Sequence, residues 1–253
     1  MKAQQAYEQG GFYNWLGNGK RCVAIHEAGH AIAAWLICVD MHVIAVMDES
    51  GYVAGEHVHE TKYMGVVKHS IIHNHDLNRM RESKSGVVGC DGKIIPFIKY
   101  HADSIKRDAQ RSAFVALAGP ISEALYENDN VFNKKYSRPH RTDMDEVNEM
   151  LDLICAVDEQ INRDDALNYL VEKTRLFMSM HWGKVEKIAR VLERDYVIQG
   201  YKINSIVGIN YIDVAAHDFD IGATEINLEV ISPKNVLTSE RNYNLNGITR
   251  EQG

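Results

Sequence analysis

Between Lys20 and Val39 the chain runs through Ala, Ile, Leu and Trp without a proline, just after Gly17-Asn18-Gly19. An unbroken apolar stretch behind such a start signal predicts a mostly buried helix. His42 to Met47 is β-branched, Asp48-Glu49-Ser50-Gly51 carries turn residues, and Tyr52 to His59 has Val at two positions, so a hairpin is expected. From Glu60 to His101 the pattern dissolves: a short helical signal near Gly65 to His73 gives way to polar residues punctuated by Gly86, Gly89 and Gly92. This segment reads as a surface insertion.

Phe114, Leu117, Ala118, Ile121, Ala124 and Leu125 recur at helical spacing, and Pro120 among them predicts two consecutive helices rather than one. Thr142 stands where an N-cap belongs, ahead of Met144, Val147, Met150, Leu151, Ile154 and Cys155 on one face. Ala166 to Met180 and His181 to Tyr196 are two further amphipathic helices, the second gathering Val185, Ile188, Ala189 and Leu192. Beyond Asn204 the helical pattern fades, although Ile226, Leu228 and Val230 alternate like a strand before Pro233 and a polar end. The elements add up to an α+β fold, mainly α: one apolar helix, a small sheet beside it and a helical bundle. The expected organisation is an arm at 1–19, a domain at 20–206 with an insertion at about 60–102, and a C-terminal extension at 207–253.

The 253 residues, 45% of them hydrophobic, can bury a proper core. A net charge of −7 without any Lys/Arg run argues against nucleic acid as a partner. The N-terminal stretch lacks the apolar core of a signal peptide, and the longest apolar run, Ala31 to Val39, is roughly half of the ~20 residues a spanning helix needs. No membrane association is expected. Cys22, Cys38, Cys90 and Cys155 contain no Cys-x-x-Cys pair, so they read as buried, reduced thiols of a cytoplasmic protein. Met144, Met150, Met178 and Met180 read as core packing.

The chemistry lies in the first helix, as His26-Glu27-Ala28-Gly29-His30. Residues four apart share a helix face, so His26 and His30 can aim an imidazole nitrogen each at one zinc ion, and Glu27 stands beside the ion as a general base. Three fixed letters recur by accident, and context decides. Two histidines and a glutamate inside an apolar helix are costly without a partner, which favours a metal site over two core histidines bonded to backbone carbonyls. A catalytic zinc needs a third protein ligand and an open position. Glu123, His140, Asp143, Asp145 and Glu146 are the candidates, and spacing alone does not choose among them.

Four segments in the same order resemble the peptidase domain of the FtsH-type membrane proteases, zinc enzymes coupled to an ATPase ring. They are Ala24-Ile25-His26-Glu27-Ala28-Gly29-His30-Ala31, then Val43 to Met47 with Gly51-Tyr52-Val53, then Leu117-Ala118-Gly119-Pro120-Ile121-Ser122-Glu123, then Thr142-Asp143-Met144. A weaker likeness continues through Trp182, Val185, Ala189 and Leu192. The resemblance implies Asp143 as the third zinc ligand and Glu123 as a residue supporting the ligands, with Glu123 the alternative ligand. It also implies an oligomer or a partner that delivers substrate. Pro120 replaces the family's arginine, the interval from His26 to Asp143 is longer than the family's, and no phosphate-binding Gly-x-x-x-x-Gly-Lys-[Ser/Thr] loop is present. The unfolding motor is therefore not encoded in this chain.

Rival signals are weaker. His57, His59, His69, His73 and His75 crowd together, and His69 with His73 repeats a helical metal spacing, yet no carboxylate or cysteine accompanies them recognisably. Ser112, Ser122 and His101 lack a Gly-x-Ser-x-Gly elbow. The expectation is a zinc metallopeptidase acting on peptides or unfolded segments, with His26, His30 and Asp143 on Zn²⁺ and Glu27 as base. The alternatives are a zinc-binding regulatory module and a metal hydrolase of small amides.

Overall fold

The computed structural model describes residues 19–57, 64–69, 87–88, 94–95, 102–128 and 141–208. The expectations for the arm, for most of the insertion, for the C-terminal extension, and for Cys90, His59, His73, His75, His101 and His140 lie outside these residues.

The chain is mainly helical with a small antiparallel sheet. In order it forms α1 (Lys20–Leu36), β1 (Met41–Val46), β2 (Tyr52–Val53), β3 (Glu56–His57), β4 (Gly65–His69), β5 (Val87–Val88), β6 (Ile94–Ile95) and α2 (Ala102–Glu127). Then come α3 (Arg141–Val157), α4 (Arg163–Met180), α5 (Trp182–Asp195), β7 (Val197–Gln199), a 3-10 turn (Gly200–Lys202) and α6 (Ile203–Val207).

Helix α1 lies at the centre, against α2 and α5, and α2 also carries α3 and α4. The sequence of α1 explains this position. Ala24, Ile25, Ala28, Ala31, Ile32, Ala33 and Ala34 are fully buried, so the helix is apolar nearly all round. Gly29 brings α2 close: a β-carbon there would meet Ala118 O at 2.5 Å and Ser122 Oγ at 2.5 Å. Side-chain bonds pin the ends of α1, with Arg21 Nη1 donating to Glu193 Oε2 at 2.5 Å and Trp35 Nε1 to Asn204 Oδ1 at 2.8 Å. Among the described residues no helix is long and apolar enough to cross a membrane.

Several expectations are corrected. Helix α2 is continuous through Pro120, where two pieces were expected. Part of the clash that pushes the residue before a proline out of the helical region comes from its β-carbon, and Gly119 has none. Among the described residues, Met41–Val46 does not pair with Tyr52–Val53 or Glu56–His57, as the hairpin expected between 42–47 and 52–59 would require. Asp48 Oδ1 accepts from Ser50 N at 2.8 Å and Tyr52 N at 3.0 Å, and the chain leaves this turn into a separate ladder of β2 with β3. Strand β1 pairs with β4 on one side and β7 on the other, both antiparallel. Gly65–His69, part of the Gly65 to His73 stretch expected as a short helix inside an insertion, is thus an edge strand of the main sheet among the described residues, and His69 stands on a strand rather than a helix.

Smaller differences follow the caps. Thr142 falls inside the first turn of α3, which starts at Arg141. Helix α4 begins earlier than its apolar pattern, because Asn162 Oδ1 accepts from Asp164 N at 2.9 Å and Asp165 N at 3.2 Å. Cys22, Cys38 and Cys155 are free thiols, but Cys38 is exposed and the other two half-buried. Met150 and Met178 are buried, whereas Met180 is exposed.

Candidate metal centre

Four elements meet at the centre. Helix α1 presents His26, Glu27 and His30, α2 brings Val115, Gly119 and Glu123, α3 brings Asp143, and β4 approaches with Gly65. The helical repeat stacks the two imidazoles, which cross edge-on at 79° with centroids 4.7 Å apart. Their Nε2 atoms lie 3.0 Å from each other, both directed at the same point. Asp143 closes the set, with Oδ2 3.3 Å from His26 Nε2 and Oδ1 3.6 Å from His30 Nε2. One ligand atom from each of the three residues falls within 4.8 Å of the others.

The surroundings fix how each imidazole presents itself. His30 Nδ1 lies 2.7 Å from Val115 O. A carbonyl only accepts, so Nδ1 carries the hydrogen and Nε2 keeps its lone pair toward the centre. On the other ring, Glu123 Oε2 is 3.3 Å from His26 Nδ1, so a carboxylate backs the face away from the cluster. Gly119 leaves room: a β-carbon on it would collide with the His30 ring, 2.6 Å from Cε1.

Two imidazole nitrogens, each with a backing group on its far side, and one carboxylate form a donor set suited to zinc. The residues fit the ion on the chemistry of these donors and on the space that Gly119 keeps clear beside His30 Nε2.

Glu27 lies next to the set and is 7% exposed. Burial pushes its carboxyl up to about 7, His26 opposes this, and the Asp143 and Glu123 carboxylates add to it. Burial also disfavours the charged form of His26, but hydrogen bonds to Asp143 and Glu123 and the nearby acids prevail and raise it to about 10. His30 drops to about 4, chiefly through burial, with Asp143 opposing and the charges of His26 and His69 contributing. The acids around His26 thus favour its protonated form in the metal-free protein.

Of the expected site residues, the structure brings together His26, Glu27, His30, Asp143 and Glu123. Asp145 and Glu146 are exposed on α3 and do not join the cluster. Spacing within the sequence missed Val115, whose contribution is a backbone oxygen with no residue-type signal. It also missed Gly65 and Gly119, whose contribution is the lack of a side chain. A second group, Cys22, Glu123 and Glu127, sits one helical turn outward, with Cys22 Sγ 3.6 Å from Glu127 Oε1. Burial first, then the two carboxylates, push the Cys22 thiol above its ordinary range, so it is not a reactive thiolate.

No protein-family model matches the chain, and no curated protein sequence matches it either.

Proposed function

We propose that this chain is a zinc-dependent metallopeptidase, an endopeptidase with an FtsH-like peptidase core. The observation that carries the reading is the convergence of His26 Nε2, His30 Nε2 and the Asp143 carboxylate beside the buried Glu27. His26, His30 and Asp143 hold Zn²⁺. Bound there, the ion supplies Lewis acidity, polarising a carbonyl and lowering the pKa of water from 15.7 towards about 7.

Glu27 does the proton work. Its buried carboxylate, beside the ion, takes a proton from the attacking water and passes it to the leaving amide nitrogen. Glu123 orients His26, and the Val115 carbonyl orients His30. β4 is the described edge strand that ends against Glu27, and an extended substrate adds to its outer edge through main-chain hydrogen bonds. The substrates are peptides, unfolded segments or chains delivered by a partner, in the cytoplasm.

The test is metal analysis of purified protein and cleavage of denatured casein, beside a Glu27→Gln variant. The expected result is stoichiometric zinc in both proteins and cleavage only by the wild type. Cleavage retained in Glu27→Gln sinks the mechanism.

A further inference from the structure

Strand β4 carries a histidine that the reaction above leaves unused. Strand side chains alternate between faces, so positions 65, 67 and 69 share one. Gly65 identifies that face, because a β-carbon on it would run into the Glu27 carboxylate. The face looks toward α1 and the acid. Val67 packs against the core, and His69, half-buried, ends the row. Lys68 points the other way, exposed and 3.2 Å from Glu56 Oε1. His69 is also close enough to the centre for its charge to act on His30.

The inner edge of β4 is paired with β1 along Met41 to Val46, with the extra residue His42 on β1 opposite the Lys68–His69 step, so β4 itself runs without an insertion. Among the described residues, no strand pairs with its outer edge. We propose that His69 is a specificity-determining residue, selecting substrates with an aspartate or glutamate opposite it on an extended chain laid along that outer edge. The proposal rests on the peptidase reading and deepens it.

Side chains directly opposite across an antiparallel pair have β-carbons about 4.5–5.5 Å apart, which lets an imidazole N–H donate to a carboxylate. A substrate antiparallel to β4, like the other pairings of this sheet, runs from the His69 end to the Gly65 end. Gly65 abuts the general base. The residue opposite His69 therefore lies about four positions before the scissile bond, counting one residue per strand step. Val67 faces the intervening position of the same face and takes an apolar neighbour.

The zinc-loaded full chain is given denatured casein, and its cleavage sites are mapped by mass spectrometry. Two synthetic peptides spanning one mapped site then differ only by Glu or Gln at the fourth position before the cut. The expected kcat/KM ratio, Glu over Gln, is about three- to fivefold in the wild type, on the scale of a cross-strand charge pair. It falls to near one in His69→Leu and below one in His69→Glu, where like charges face each other. Should His69→Leu fail to fold, His69→Glu carries the comparison by itself. A wild-type ratio near one, or one unchanged in the variants, overturns the role of His69 while leaving the peptidase reading intact. Absence of wild-type cleavage, or cleavage surviving in Glu27→Gln, overturns the peptidase reading instead.

Discussion

Gly65 abuts the carboxylate of Glu27 so closely that a β-carbon on the glycine would lie 2.5 Å from Glu27 Cγ and 2.7 Å from Cδ. The strand thereby sets where the acid sits. Gly65→Ala pushes Glu27 aside, since the acid's side chain yields more readily than the backbone of β4. A misplacement of about 1 Å in catalytic geometry costs on the order of 10²-fold. The expected outcome is a kcat lower by one to two orders of magnitude with zinc content unchanged, read by steady-state kinetics and metal analysis. Undiminished kcat would show that the position of Glu27 is not set by this contact.

Asp143 and Glu123 are both carboxylates near His26, but they meet different nitrogens. Asp143 faces Nε2 of both rings, whereas Glu123 faces only Nδ1 of His26. Asp143→Asn therefore removes a ligand, and Glu123→Gln removes support for one. Loss of a supporting group costs roughly 10–100-fold in metal affinity, and loss of the ligand exceeds it. Competition with a chelator of known affinity measures both. The reverse ranking would move the ligand role to Glu123.

How much of this was legible depended on where each signal lies along the chain. The motif helix and the amphipathic α4 and α5 were readable because their apolar spacing is local. The third donor, Asp143, came from a resemblance, since no physical rule of spacing links it to His26. β4 was invisible for a different reason. Gly65–His69 is a short run whose strand character comes from pairing with β1, and nothing within Gly-Val-Val-Lys-His announces that partner. Pro120 is a weaker break than its residue type suggests, because Gly119 before it has no β-carbon to clash with the ring. Val115 acts through a carbonyl that every residue possesses.

Gly29 links the motif to the packing of α1 on α2. A larger residue meets the Ala118 carbonyl and Ser122 Oγ, both at 2.5 Å from where its β-carbon would be, and neither lies at the end of a flexible chain. Overpacking of this kind costs about 1–3 kcal/mol. Gly29→Val is expected to lower Tm by roughly 2–12 °C at this chain length. It also lowers zinc affinity, because separating the helices draws His30 from Val115. Thermal unfolding with and without zinc tests this, and an unchanged Tm would mean that α1 and α2 are not in such close contact.

Metal uptake and metal-free stability should respond to pH in opposite directions. A zinc ligand must be deprotonated, and His26 in the metal-free protein is raised to about 10, so between pH 7 and 9 binding displaces the proton from its ring. Affinity for zinc rises about tenfold per pH unit over that window, and more steeply below about 7, where Glu27 also holds a proton that the incoming charge expels. Stability of the metal-free fold runs the other way. A histidine raised from 6.5 to about 10 stabilises fully below 6.5, and the contribution is lost as pH climbs through the folded value. Glu27, raised from 4.5 to about 7, likewise withdraws stability as pH rises between those values, while His30, lowered to about 4, returns some over the same range. Above pH 7 the His26 contribution continues to fall, and near pH 9 the raised Cys22 and Cys155 thiols withdraw stability in the same direction. Metal-free Tm should therefore fall from pH 7 to 9.5 while the zinc-induced rise in Tm grows. A zinc affinity flat across pH 7–9 would show that His26 carries no proton to displace.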